Sequence, residues 1–79
     1  MYIYLIEQTE ETGWDTYDSA VVVAMSAEDA RLTQPNEGDE FGGVFSAWCS
    51  SPDKVTATLI GSAAPDMTLG VVLASFNAG

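Results

Sequence analysis

Apolar side chains occupy both alternating sets of positions from Tyr2 to Glu7, with Tyr2, Tyr4 and Ile6 on one side and Ile3 and Leu5 on the other. A strand apolar on both faces predicts a central place in a sheet, covered on each side. Gln8 to Thr16 is polar around Trp14 and reads as a long hairpin loop in which Gly13 supplies a positive φ. Tyr17 to Met25 contains the run Ala20-Val21-Val22-Val23-Ala24, β-branched and too short for a globular helix, and predicts the second strand.

The pattern then changes period. Ser26 is a good N-cap, Glu28 and Asp29 fall in a first turn where the helix dipole favours carboxylates, and Pro35 forbids continuation. A short helix is expected over 27–33, with Ala27, Ala30 and the aliphatic stem of Arg31 facing inward. Asn36 to Gly43 has no periodicity and reads as a mobile loop. Val44, Phe45, Ala47 and Trp48 fit either a short strand or an irregular apolar segment. Ser51-Pro52-Asp53 suits a turn or one helical turn, with serine as cap and proline first. Val55, Ala57 and Leu59 alternate with Thr56, Thr58 and Ile60 in a half-exposed strand. Gly61 to Gly70 holds the turn-like pair Pro65-Asp66, and Val71 to Phe76 reads as a last, buried strand.

This order predicts one α+β domain over 1–79: an antiparallel sheet of four to five strands with one short helix packed on a face. No internal repeat or linker interrupts it. At 79 residues, folding buries only about 60–65% of the unfolded surface, so a single modest core is expected.

Charge changes the picture more than composition does. The hydrophobic fraction of 47% suffices for folding, and charged residues make up only 18%, below the usual ~25%. The imbalance is what stands out, because twelve carboxylates face only Arg31 and Lys54, for a net charge of −10. Most acidic groups must therefore meet water or a partner. A body of this length has a radius of gyration near ~12 Å and a width of roughly 30 Å. One DNA strand carries about nine phosphates over that span. Such a protein is repelled by nucleic acid and by anionic membranes, and attracted to surfaces that bind them.

Several chemistries lack their residues. The chain has no histidine, the commonest general base and transition-metal ligand. Its one cysteine, Cys49, has no imidazole to generate a thiolate, and is expected to be an inert thiol buried beside Trp48. A single cysteine allows no internal disulfide, which suits a reducing cytoplasm. No basic n-region precedes an apolar segment, and no apolar run approaches the ~18 residues of a membrane span. The serines stand in no nucleophile motif, and Gly42-Gly43 lacks the continuation of a phosphate loop. Asp15, Asp18, Glu37, Asp39 and Glu40 offer oxygen ligands but miss the EF-hand spacing. The expectation is a protein without enzymatic activity, cofactor or metal.

The acidic residues remain to be explained. Glu7, Glu10, Glu11, Asp15 and Asp18 put five carboxylates into twelve residues, and Glu37, Asp39 and Glu40 form a second group. Solubility alone accounts for charge of either sign but not for near-absence of the basic partner. Carboxylates that pair with arginine as phosphates do suggest nucleic-acid mimicry. Trp14 and Tyr17, within the first group, are aromatic anchors unless the core takes them. The expected contact set is Glu10, Glu11, Trp14, Asp15, Asp18, Glu28, Asp29, Glu37, Asp39 and Glu40.

The stretch Tyr17-Asp18-Ser19-Ala20-Val21-Val22-Val23-Ala24, followed by Ser26-Ala27-Glu28-Asp29-Ala30-Arg31, resembles short phage and prophage proteins. The ending Gly70-Val71-Val72-Leu73-Ala74-Ser75-Phe76-Asn77-Ala78-Gly79, with Val55 to Gly61, extends the likeness over half the chain. Within that repertoire the chain resembles small acidic anti-CRISPR proteins aimed at type I effectors, type I-C included. The resemblance implies a DNA mimic that blocks the DNA-recognition surface of a Cascade subunit; charge, the lone cysteine and the lack of a long apolar run imply a cytoplasmic protein, a monomer rather than a small oligomer, that touches neither nucleic acid nor membrane itself. It maps no site residue. The alternatives are an acidic module binding another basic host protein, such as a polymerase subunit, nuclease or nucleoid protein, and an accessory structural protein whose acidity is incidental.

Overall fold

The computed structural model describes residues 1–36, 40–42 and 47–77. It contains β1 (Tyr2–Glu7), β2 (Thr16–Ala24), α1 (Ala27–Leu32), a single 3-10 turn (Pro52–Lys54), β3 (Thr56–Ser62) and β4 (Gly70–Asn77). The four strands make one antiparallel sheet in the order β3-β1-β2-β4, with α1 laid over β1, β2 and β3. The predicted α+β class is therefore what the chain adopts. A fifth strand at Val44 and Phe45 falls outside the described residues; Ala47 and Trp48 belong to no strand.

Local signals set the element ends. The Ser26 hydroxyl accepts from the Asp29 N–H at 3.2 Å, and Thr33, the C-cap, donates its N–H to the Ala30 carbonyl. Ser51 caps the 3-10 turn with Pro52 in its first turn, as that tripeptide predicted. The helix buries Ala30 alone; Ala27 is exposed and Arg31 half-buried, correcting the expected inner face. At six residues α1 has room for one inward position per turn, and the small side chain of Ala30 lets it sit low on the sheet.

One face of the sheet holds the core. Tyr4 and Ile6 of β1 join Ala20, Val22 and Ala24 of β2 beneath Ala30, Trp48, Cys49 and Val55, with Tyr17, Ala57, Val71 and Ala74 packed alongside. The folded surface of 4846 Å² is what remains after roughly 60% of the extended chain's area is buried. Tyr17 packs into this core, its ring 4.8 Å from that of Phe76, and so is spent on structure.

The opposite face departs from expectation. Ile3 and Leu5 pair with Val23 and Val21, and Val21 pairs with Leu73; of these Val23 is buried, but Ile3, Leu5 and Val21 are half-buried and Leu73 is exposed. β1 is central, as predicted, but fully buried on one side only. β4 is not a buried strand either: it forms a sheet edge with Val72, Leu73 and Phe76 exposed. The reason is order. A strand's sequence records its alternation but not its neighbours, and β4 pairs only with β2.

Each outer strand is also irregular. Leu59 pairs with Tyr4 and Gly61 with Ile3, on opposite faces though two residues apart, so Ile60 is an extra residue that reverses the alternation. Val72 does the same between Val71 and Leu73, and Asp18 does so in β2 opposite β4.

Candidate functional site

The strand directions divide the molecule into two ends. β1 ends, and β2 and β3 begin, at one end, which carries the β1–β2 loop and the 3-10 turn. β2 ends at the other, where α1 starts and the 63–69 connection crosses from β3 to β4. Nine residues of β2 separate these ends by about 26 Å, within a body of 35 × 23 × 20 Å.

The expected contact residues divide accordingly. Glu10, Glu11, Trp14, Asp15 and Asp18 lie together at the first end, joined by Glu7 and Asp53. Glu40 is exposed, two residues before Gly42, which lies against the Ser50 carbonyl at this end. Glu28 and Asp29 occupy the far end with Asp66, so they share no surface with the loop. Glu37 and Asp39 lie outside the described residues.

A network that the sequence did not advertise holds the β1–β2 loop. Gln8 is buried, and its Nε2 donates to the carbonyls of Glu11 at 2.7 Å and Tyr17 at 2.8 Å. Its Oε1 accepts from the Glu11 N–H at 2.9 Å. One amide thus occupies both its donors and its acceptor on loop and strand backbone. Thr16 closes the tip by donating its hydroxyl to the Gly13 carbonyl at 2.6 Å, and the Asp15 N–H bonds the Asn77 carbonyl of β4. Asp15, not Gly13, takes the positive φ, at 59°. Aspartate tolerates that left-handed conformation better than most residues, which freed the glycine from the role expected of it. The only early signal for Gln8 was an amide directly after an apolar strand.

Glu10 is bound to the scaffold. Its carboxylate accepts from the Ser50 N–H at 2.8 Å and pairs with Lys54 Nζ at 3.2 Å. Hydrogen bonds from the Ser50 side chain and backbone, then the Lys54 ammonium, hold its carboxyl below the ordinary 4.5. Glu10 therefore positions the loop and spends the chain's lysine doing so. Glu11 and Asp18 remain exposed, as does Asp15, around Trp14, which is 77% exposed at the tip. An aromatic ring that far in water, on a loop tied at several points, is an unusual use of apolar surface.

Cys49 lies in the core with its Sγ 3.3 Å from the Ser51 carbonyl, and burial pushes the thiol above its ordinary 9.0. That is the environment of an unreactive thiol. Among the described residues, no three His, Cys, Asp or Glu side chains gather closely enough to hold a metal ion, and no helix is long and apolar enough to cross a membrane. No family model matches this chain, and no curated protein or solved structure matches it.

Proposed function

We propose that this protein acts by binding and not by catalysis, using the β1–β2 loop end to occupy a basic groove that otherwise receives nucleic acid. The observation that carries the reading is the tied loop: Gln8, Thr16 and Glu10 fix a backbone that presents the exposed Trp14 on the same short segment as the exposed Glu11, Asp15 and Asp18. Pre-ordering lowers the entropy lost on association, and a central aromatic with flanking charges is the pattern of an interface hot spot. The partner's arginines would meet carboxylates in place of phosphates. The resemblance to anti-CRISPR proteins makes the partner a type I effector, blocked at its DNA-recognition surface.

The test is binding to a purified type I effector, measured at low and high salt and with competing target DNA. Binding should weaken about tenfold or more as salt rises from 50 to 300 mM, and DNA should displace the protein. Replacing Glu11, Asp15 and Asp18 together with lysine should abolish binding, and Trp14→Ala should cost about 2 kcal/mol. Binding indifferent to both salt and DNA refutes the mimicry.

A further inference from the structure

We infer that the open face of the sheet is a self-association surface, on which a second copy of this chain packs face to face. Its residues are Ile3 and Leu5 of β1, Val21 of β2 and Leu73 of β4, aligned across the sheet by their pairing. An antiparallel sheet with one solvated face ordinarily alternates apolar and polar side chains. Here the central strands are apolar on both faces, yet on this one only Val23 is buried, while Ile3, Leu5 and Val21 are half-buried.

The occupant follows from charge and shape. Glu7 is the one carboxylate in register with this face, and it stands at the rim in the row Thr56–Glu7–Ser19–Ser75. Inside that rim the face is neutral, on a chain of net charge −10. It also carries both halves of a fit: Leu73, 68% exposed, forms one wall of a depression of about 300 Å³ whose other walls include Leu5, Ser19, Val21 and Ser75. A two-fold axis lets each Leu73 enter the other copy's depression, the self-complementarity an isologous interface requires. An axis running across the strands sets the two Glu7 rims at opposite ends, away from each other. Two sheets stacked in this way pack about 10 Å apart.

The sheet edges are poorer candidates. β3 and β4 contain neither charge nor proline, but the extra residues Ile60 and Val72 break each edge in its middle, a common protection against strand addition. The face measures about 20 Å each way from strand spacing and rise, roughly 400 Å² per copy. That is about half a standard interface, so the dimer is weak and concentration-dependent.

Sedimentation equilibrium of the full chain, from micromolar to millimolar concentration and at 20 and 500 mM salt, tests this. The apparent mass should climb from 8.4 kDa towards twice that value, and high salt should tighten association at least about tenfold by screening the like charges. This salt dependence is opposite in sign to that of a basic partner, so the two readings fail separately. Leu73→Gln, alone and with the isosteric Val21→Thr, should hold the protein monomeric with an unchanged circular dichroism spectrum; both keep the net charge. A monomer at every concentration and salt overturns the inference. So does a mass that grows beyond the dimer, or association that survives both substitutions.

Discussion

Val21 and Val22 are adjacent in β2, identical in chemistry, and opposite in circumstance. Val22 points into the layer made by Ile6, Ala30 and Trp48 and is 0% exposed, whereas Val21 points to the open face beside Leu73 and is only half-buried. The contrast extends across the sheet: Tyr4, Ile6 and Ala20 lie under cover, while Ile3 and Leu5 do not. Hydrophobic character records that a surface is worth covering, and the fold decides which surface the chain itself covers.

The sharpest way to break this comparison is to place the same charge on each side of the strand. Val22→Asp should cost more than about 4 kcal/mol, because the carboxylate has neither water nor counter-ion, and the domain should be unfolded by circular dichroism. Val21→Asp should cost about 1 kcal/mol or less and give a cooperative melt. Equal losses would mean that the open face is not open in solution.

A second, smaller effect separates the loop end from both faces. Gln8→Ala removes three hydrogen bonds and leaves loop backbone groups unsatisfied, a loss of about 1–3 kcal/mol. Amide exchange should quicken across residues 9–16 with the core strands still protected. Loss of protection throughout would show that the loop and the core unfold as one unit.

The smallest effect concerns acid. The Glu10 carboxyl is depressed in the folded chain, so its contribution is complete above the ordinary 4.5 and disappears as pH falls through the folded value. The Glu10→Gln variant should therefore lose less stability than the parent as pH falls below about 4.5, measured by urea denaturation. The pair is exposed to solvent, so the difference is slight and shrinks further in high salt.

Much of the architecture was legible residue by residue. The apolar run of Tyr2 to Glu7, the serine caps at Ser26 and Ser51, and the stop before Pro35 all act within a turn or two of chain, and each appears where its local chemistry places it. The register breaks at Asp18, Ile60 and Val72 carried no such mark, since a bulge is a relation between two strands. The site was half legible. Acidic density singled out Glu11, Asp15 and Asp18 but could not separate them from Glu28 and Asp29, which the 26 Å run of β2 sends to the other end. Nor could it show that Glu10 is bound to Ser50 and Lys54, forty residues and more away in the chain.

By itself the sequence settled where strands and caps fall, that one modest core forms, and that carboxylates vastly outnumber cations. These are properties of short segments or of sums, and they need no knowledge of neighbours. Tertiary structure alone decided which face of the sheet is covered, which acidic groups share an end, and which of them is spent on the scaffold. Those outcomes rest on the strand order β3-β1-β2-β4, which is set by long-range pairings that no local pattern encodes.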